Sequence, residues 1–441
     1  MLLEFSVENF LSFKQKNTLS LVSANIAGHE EDNVFTINDY ELLKTAIIYG
    51  ANASGKTNLI KAMRFMKNMV ILSSKESQSG EAIDVEPFKF SIDTHDQPSE
   101  FEIIFIYKKV LYRYGFTVDS QRVYQEWLYY LSNNQSEEIE LFERRFENET
   151  ETISLAKPFK EGEIAKTLKI RKNALFLSVA AQLDDSGIAG QMMEWFRNGF
   201  KVLFALEPDA YESFTLTKLK QPDDKQDILR FLKAADTAIE NIEVVDIKAQ
   251  NLPQELPKGL KGFLVSSAKA VMTEHRLFNN KGETVSSVLL SMKENESEGT
   301  KKLFALSGSI IDTLKNGEVL IVDELDAKLH PLMMRFILNL FQDKETNPHN
   351  AQLIFETHDT NLLSPRFFRR DQIWFAEKNP QGATDLFCLA AFQLEPDDSK
   401  NGEPVYKTEY FQGRYGAIPL IGEFALAFEK GALHHFLQDF E

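Results

Sequence analysis

Three short apolar runs stand out along the chain, at residues 45–49, 319–322 and 353–355. Uninterrupted apolar runs of this length are typical of strands that are buried on both faces. The first run is followed, after a glycine-bounded loop, by apolar residues at helical spacing, namely Leu59, Ile60, Ala62, Met63, Met66, Met69 and Val70. The pattern therefore predicts a strand, a loop and a helix in direct succession.

Other stretches show different periodicities. Residues 1–8 alternate between apolar and polar, which predicts a first strand, and 101–107 and 110–116 predict a hairpin that turns at Lys108-Lys109. Helical patterns follow at about 189–206 and 224–241. Residues 133–165 are rich in Glu, Asn and Lys and suggest an exposed insertion, and a Pro- and Lys-rich stretch near 252–262 interrupts the chain again.

These changes of pattern suggest four segments. Residues 1–130 form an α/β start with a β-rich lobe, and 131–263 form a mostly helical insertion. The α/β pattern returns over 264–378, and 379–441 form a C-terminal extension. We find no internal repeat at solenoid periods and no heptad run long enough for a coiled-coil arm.

Composition narrows the range of partners and compartments. The formal net charge is −17, with 66 acidic against 49 basic residues, so non-specific binding to DNA over the whole surface is disfavoured, although a local basic groove would be compatible with it. The single cysteine, Cys388, cannot form an internal disulfide, which fits a reducing cytoplasm. The N-terminus lacks a basic leader, and no apolar stretch is long enough for a membrane span.

The loop after the first apolar run carries the strongest chemical signal. It reads Gly50, Ala51, Asn52, Ala53, Ser54, Gly55, Lys56 and Thr57, the G-x-x-x-x-G-K-T pattern of a phosphate-binding loop. Its backbone N–H groups can surround phosphates at a helix N-terminus, Lys56 can reach the β- and γ-phosphates, and the Thr57 hydroxyl can ligate Mg²⁺. A chance match in a chain of this length is roughly a 1–2% event. The loop predicts binding of a nucleoside triphosphate, with ATP and Mg²⁺ as the expected ligands.

The second apolar run ends in Asp323 and Glu324. Asp323 is a candidate for the Mg²⁺ shell, and Glu324 is placed to orient or deprotonate an attacking water. A strand that ends in an acidic turn is a common alternative without function, and the phosphate loop elsewhere in the chain favours the functional interpretation.

Two weaker signals flank this acidic strand. Ser297 and Gly299 precede a helical pattern, so that a hydroxyl, backbone N–H groups and a helix dipole could face an anion. An ordinary helix N-cap is the alternative. His358 follows the third apolar run, where it could sense a γ-phosphate or lie on the surface without a role. The order of the four motifs makes each of them more credible.

The chain resembles ABC-type ATPase heads of the SMC, RecF and OLD kind, and more closely the RloA-like AAA ATPases of restriction and anti-phage loci, to which the AriA component of PARIS systems is related. The resemblance is carried by residues 5–13, 50–57, 296–303, 323–331, 357–359 and 413–419. It implies a P-loop NTPase with an ABC/SMC-like head, a mixed sheet, a β-rich N-terminal lobe and a mostly helical insertion. The two halves of the head would be 1–130 and 264–378. In this comparison the Ser297 and Gly299 motif takes the position of the ABC signature, and it lacks the second glycine pair and the glutamine found in transporters.

The resemblance also assigns further roles. Asp326 would lie in the loop that crosses a dimer, His358 would be the switch histidine, and Gln182, after an expected strand that includes residues 175–179, is the candidate Mg²⁺-sensing glutamine. Two heads would enclose two ATP molecules, with the phosphate loop of one subunit facing Ser297 and Gly299 of the other. OLD relatives carry a TOPRIM nuclease after the head, and too few residues follow residue 376 for that domain.

We therefore expect a cytoplasmic ATPase that forms an ATP-dependent homodimer or higher homo-oligomer. It would control a separate effector, such as a TOPRIM-type nuclease, in anti-phage defence. The alternative is a DNA-repair or chromosome-maintenance ATPase that binds DNA directly. A small-molecule kinase is a third candidate, which would require an acceptor-site base and would not need the Ser-x-Gly motif.

Overall fold

The computed structural model describes residues 1–26, 28–75, 80–131, 137–184, 186–204, 208–235, 238–246, 269–392 and 406–418. Its strands are β1 Leu2–Glu8, β2 Asn17–Ser20, β3 Val34–Ile37, β4 Tyr40–Leu43, β5 Thr45–Tyr49, β6 Ser99–Tyr107, β7 Val110–Val118, β8 Val123–Leu131, β9 Ile139–Glu147, β10 Thr150–Leu155, β11 Phe200–Leu203, β12 Asn241–Asp246, β13 Lys269–Phe278, β14 Thr284–Ser291, β15 Val319–Val322, β16 Gln352–Glu356, β17 Ile373–Lys378 and β18 Thr384–Cys388.

The α-helices are α1 Glu30–Asn33, α2 Lys56–Leu72, α3 Lys160–Thr167, α4 Phe176–Ala180, α5 Ile188–Glu194, α6 Pro208–Lys218, α7 Pro222–Ala234, α8 Met292–Asn295, α9 Glu298–Asn316, α10 Pro331–Gln342 and α11 Tyr406–Phe411. A π-helix, Trp195–Gly199, continues α5, and short 3₁₀ turns occur at Thr360–Leu362, Arg370–Gln372 and Leu389–Ala391. None of the described helices is long and apolar enough to cross a membrane.

A six-stranded sheet, which we call the central sheet, positions the predicted chemistry. Its order is β11-β15-β16-β5-β17-β18, and every neighbouring pair is parallel except the last, β17 and β18. The three apolar runs of the sequence are β5, β15 and β16, and every residue of these strands is buried. Since they are parallel neighbours, their carboxyl ends, which carry the predicted motifs, meet at one edge.

A second sheet, which we call the outer sheet, has the order β10-β9-β8-β7-β6-β1-β2 and is antiparallel throughout. It contains the predicted hairpin as β6 and β7, whose turn places Lys108 and Lys109 at positive φ of 50° and 64°. One hydrophobic core joins this sheet to α2 and the central sheet, and a second core joins the other face of the central sheet to α7, α9 and α10.

The α/β fold agrees with the sequence prediction, and several local expectations do not. Residues 176–180 form helix α4, so the expected strand before Gln182 is wrong. The stretch 133–165 includes β9 and β10, which extend the outer sheet past residue 130, while β11 of the predicted insertion joins the central sheet. The predicted helix at 224–241 ends at Ala234, and 189–206 contains the short strand β11. The break near 252–262 and Pro419 of the last motif lie outside the described residues.

Candidate nucleotide site

The phosphate loop connects β5 directly to α2. Gly50 has a φ of 158° and Ala53 a φ of 62°, and Gly55 caps α2 at φ 108°, so the loop has three residues at positive φ before the helix begins. The Nζ of Lys56 donates to the carbonyl oxygens of Gly50 at 2.9 Å and Ala51 at 3.1 Å, which holds the ammonium group across the loop. The loop therefore combines a tightly turned backbone, a cation and a helix N-terminus, which together favour the binding of an anion.

Two distant segments support this loop from behind. The Thr384 hydroxyl, at the start of β18, donates to the carbonyl oxygen of Ser54 at 2.8 Å and lies 2.8 Å from the Ser12 hydroxyl. Asn58 donates to the same Ser12 oxygen. A Cβ added at Gly55 would lie only 2.1 Å from the Thr384 hydroxyl oxygen. Gly55 is therefore required both by its φ and by the lack of space.

Asp323 and Glu356 meet beside the loop at the ends of adjacent strands. Asp323 is 4% exposed and Glu356 is 1% exposed. The Thr57 hydroxyl lies 3.2 and 3.3 Å from the two carboxylate oxygens of Glu356, and the two carboxyl groups are within hydrogen-bonding reach of each other. Burial and the nearby Asp323 carboxylate raise the pKa of Glu356 to about 8, and burial raises the pKa of Asp323 too. The pair therefore favours one shared proton or a bound cation.

The donor set fits Mg²⁺. Asp323 Oδ1 is buried and has no hydrogen-bond partner among the described residues, as expected of an oxygen placed for a cation. Thr57, Asp323 and Glu356 offer hydroxyl and carboxylate oxygens, which Mg²⁺ prefers. Across the part of the chain that the structure describes, no group of three or more His, Cys, Asp or Glu residues forms a metal cluster. The arrangement suits an ion that also takes oxygens from phosphates and water.

Glu324 follows Asp323 in a strained turn. Its φ is 47°, in the left-handed region that residues with a side chain rarely adopt, and such strain is frequent at functional sites. Lys302 of α9 fixes this turn by donating from Nζ to the carbonyl oxygens of Glu324 at 2.7 Å and Ala327 at 2.9 Å. Burial lowers the pKa of Lys302 to about 8.

Asp326 and His358 are brought together by the same edge of the central sheet. The backbone N–H of His358 donates to Asp326 Oδ2 at 3.0 Å. Burial, followed by the nearby positive charge of Lys56, lowers the pKa of His358, which favours a neutral imidazole. The predicted switch histidine therefore lies on the phosphate-loop side of the sheet edge.

Ser297 and Gly299 stand at the start of α9. The exposed Ser297 is the N-cap, and its hydroxyl accepts from the Thr300 N–H at 3.1 Å. Gly299 lies against the carbonyl oxygen of Lys328, 3.0 Å from the position of an added Cβ. Among the described residues no hydrogen bond joins Ser297 or Gly299 to the phosphate loop of the same chain.

Comparison with known families agrees with this geometry. Residues 46–364, most of the chain, match the AAA_21 family model, described as "AAA domain, putative AbiEii toxin, Type IV TA system". The chain belongs to the AAA_21 family. The matched span begins in β5 and ends shortly after His358, and thus includes every predicted site residue. This AAA domain has the α/β, P-loop fold class that the sequence predicted.

Solved structures that resemble the chain include two SMC heads. One is the SMC head domain from Thermotoga maritima, at 11% identity and a TM-score of 0.40, covering 88% of this chain and 98% of that one. The other is the Smc head domain with a coiled coil and joint derived from Pyrococcus yayanosii, at 12% identity and a TM-score of 0.37, covering 88% of this chain and 96% of that one. No curated protein matches the sequence of this AAA_21 chain.

The structure contradicts the Mg²⁺-sensing role of Gln182 in this AAA_21 chain. Gln182 lies in the turn after α4, and its side-chain amide donates to the Ser74 hydroxyl. Ser74 follows the C-terminal end of α2, a helix of 17 residues that starts at Lys56. At 1.5 Å per residue, that end is roughly 25 Å from the phosphate loop. Gln182 is therefore too far away to hold the same ion as Thr57.

Glu356, Lys302 and Thr384 also lie in the candidate site of this AAA_21 domain, and none of them was predicted from the sequence as a site residue. Glu356 directly precedes Thr357 and His358, and an acidic residue at the end of an apolar run was a signal of the same kind as Asp323. Lys302 follows the Ser297 motif on α9, but nothing in the sequence indicates that it binds two carbonyl groups. Thr384 gives no signal, because its contact with the loop depends on the position of β18.

Proposed function

We propose that this AAA_21 chain hydrolyses Mg²⁺-ATP at a site shared between two copies of the chain, and that its ATP state controls a separate effector in anti-phage defence. The observation that carries the enzymatic part is the meeting of Thr57, Asp323 and Glu356 beside the phosphate loop, with Glu324 next in the chain. Triphosphate binding alone needs the loop, whereas hydrolysis also needs carboxylates at its side.

Each side chain has a distinct task in this proposal. The loop N–H groups and Lys56 hold the phosphates, and Lys56 exchanges its two carbonyl partners for phosphate oxygens. Thr57 and Asp323 hold Mg²⁺, which would neutralise phosphate charge when bound. Glu324 orients and deprotonates the attacking water, and His358 adds a hydrogen bond to the charge that develops on the γ-phosphate.

The shared site is supported by the position of the signature residues. Ser297 is exposed at the N-terminus of a long helix, α9, and no hydrogen bond connects it to the phosphate loop of its own chain within the described residues. A helix N-terminus with an exposed hydroxyl is suited to an anion supplied by a neighbour. A second copy of the chain would supply it as the γ-phosphate of its bound ATP.

The proposed role in defence rests on three considerations. The family description names a putative toxin, a kind of protein whose activity has to be restrained until it is needed. The net charge of −17 disfavours DNA as the default partner. The resemblance to RloA-like ATPases implies a partner encoded separately, for which a TOPRIM-type nuclease is the candidate.

The purified chain tests the proposal directly. We expect Mg²⁺-dependent release of phosphate from ATP, with a specific activity that rises with protein concentration because two copies must meet. Duplex DNA should leave the rate unchanged. Stimulation by DNA would instead favour the DNA-repair alternative, and turnover that is independent of protein concentration in a strictly monomeric sample would refute the shared site. A gene for a toxic nuclease next to this one would support the defence role.

A further inference from the structure

A cavity of about 830 Å³ lies away from the candidate nucleotide site. It runs along β11, the edge strand of the central sheet, and is lined on the other side by the β6–β7 turn of the outer sheet. The described residues that line it include none of the phosphate loop, and they do not include Asp323, Glu324 or Glu356. Its volume is within the range of small-molecule sites, about 300–1,000 Å³.

The cavity is basic although the chain is acidic. Six cationic side chains line it, against three carboxylates, Glu194, Asp312 and Glu318. Lys201 is bound by Asp312 at 2.7 Å and by Glu318, and Lys218 is bound by Asp312. Glu194 binds Lys108 at 3.2 Å. All three carboxylates are therefore paired with lysines.

Three cations remain without a carboxylate partner among the described residues: Lys67, Lys109 and Arg197. Lys67 is half-buried, and among the described residues its Nζ donates only to the carbonyl oxygens of Phe200 at 2.6 Å and Arg197 at 3.3 Å. Burial lowers its pKa to about 8. A half-buried cation whose hydrogen-bond acceptors among the described residues are neutral carbonyl groups gains from an anion placed beside it.

The wall that carries Arg197 has an unusual backbone. Trp195–Gly199 forms a π-helix, a rare conformation that occurs frequently at functional sites. Trp195 anchors it by stacking on Phe105, with ring centroids 3.7 Å apart, and on Phe200 at 5.2 Å. The anchored turn leaves Arg197 and its neighbour Asn198 exposed at the cavity.

We propose that this cavity binds a small phosphorylated metabolite, whose phosphate groups are held by Lys67, Lys109 and Arg197. Arginine and lysine side chains are the usual recognition elements for phosphate, and these three line one cavity without carboxylate partners among the described residues. The ligand would contact α2 through Lys67 and α9 through Asn316. These two helices begin at Lys56 and just after Ser297, so occupancy would influence both parts of the nucleotide site. This influence rests on the proposed function, whereas binding itself does not.

Binding can be measured without interference from the phosphate loop. The experiment uses the full chain with Lys56→Ala, inorganic pyrophosphate as the probe, EDTA in the buffer and titration calorimetry. We expect saturable binding that weakens at least about tenfold when Arg197→Glu and Lys109→Glu are added, because both charges at the rim are reversed. The matched control adds Lys166→Glu and Lys169→Glu, which make the same charge change at exposed positions outside the cavity, and should retain the affinity.

Three results would overturn the proposal. They are the absence of saturable binding to the Lys56→Ala chain, equal affinities in the two charge-reversed variants, and equal binding of a short 5′-phosphorylated DNA strand, which would make the cavity a site for nucleic-acid ends. Integrity of the fold is checked separately. With Lys56 intact, Arg197→Glu with Lys109→Glu should hydrolyse ATP within about twofold of the parent rate, because neither residue touches the nucleotide site.

Discussion

At the scale of single residues, the proposed mechanism assigns nucleotide binding to Lys56 and activation of water to Glu324. Glu324→Gln keeps the shape of the side chain and removes the base, so ATP should still bind while hydrolysis falls by about 10²–10⁴-fold. Lys56→Ala is the comparison, because loss of the ammonium group should reduce binding and turnover together. Nucleotide binding by fluorescence and phosphate release separate the two effects. If Glu324→Gln retains most of its turnover, another carboxylate activates the water, and unchanged binding and turnover in Lys56→Ala would refute the assignment of the loop.

Glu356 should make the stability of the fold depend on pH. Its pKa is raised to about 8, so the folded chain holds a proton that the unfolded chain has lost above its ordinary pKa of 4.5. Stability in the absence of Mg²⁺ should therefore fall as pH rises from about 4.5 to 8 and level off above that range. Glu356→Gln replaces the protonated acid with a neutral group and should lack this contribution.

Urea unfolding in EDTA at pH 6 and pH 8.5 tests the role of Glu356. From pH 6 to pH 8.5 the free energy of unfolding of the parent should fall by at least about 1 kcal/mol more than that of the variant. The reason is that one unit of pKa corresponds to about 1.4 kcal/mol. Glu345→Gln makes the same chemical change at an exposed position outside the site and is the control, which should keep the pH dependence of the parent. An identical pH dependence in Glu356→Gln and the parent would show that Glu356 is ionised in the fold.

At the scale of elements, β18 positions a loop that is more than 300 residues away in sequence. The Thr384 hydroxyl donates to the Ser54 carbonyl oxygen across 330 positions. Thr384→Val keeps the shape of the side chain and removes this hydrogen bond, so we expect weaker ATP binding. The free energy of unfolding should fall by about 1–3 kcal/mol, because the buried Ser54 carbonyl is left without its donor. Thr384→Ser retains the hydroxyl and is the control. Equal ATP affinity in the valine and serine variants would mean that the loop holds its shape without β18.

At the scale of the whole molecule, the shared site can be tested by mixing variants. Ser297→Arg places bulk and charge at the start of α9, so hydrolysis should fail while the intact Lys56 and Thr57 still bind ATP. When Ser297→Arg protein is mixed with Lys56→Ala protein, one composite site in the mixed dimer is intact and the other is doubly altered. Partial ATPase activity should return if one site can act alone.

Recovery in this mixture would establish a site built from two chains. Full activity of Ser297→Arg by itself would contradict the shared-site model and leave an ATPase that is complete within one chain. Each variant alone, at the total protein concentration of the mixture, is the control that excludes residual activity as the source of the recovered signal.

Much of the candidate site could be predicted from sequence because its parts are local. The phosphate loop is one continuous segment, and Asp323-Glu324 and His358 each follow an apolar run that could only be a buried element. Gln182 failed because a run of apolar residues fits a buried helix as well as a strand, and a run of about five residues is too short for periodicity to decide. The helix α4 was therefore mistaken for a strand.

The sequence by itself determined that this chain has a phosphate loop between a buried strand and a helix, an acidic strand end and a mixed α/β fold. Only the tertiary structure decided which strand lies between the strand of the phosphate loop and the strand that ends in Asp323. Since β16 separates β5 from β15, the carboxylate of Glu356 comes to lie between Thr57 and Asp323. Strand order and the packing of β18 depend on contacts between segments hundreds of residues apart, and no local pattern of side chains records such contacts.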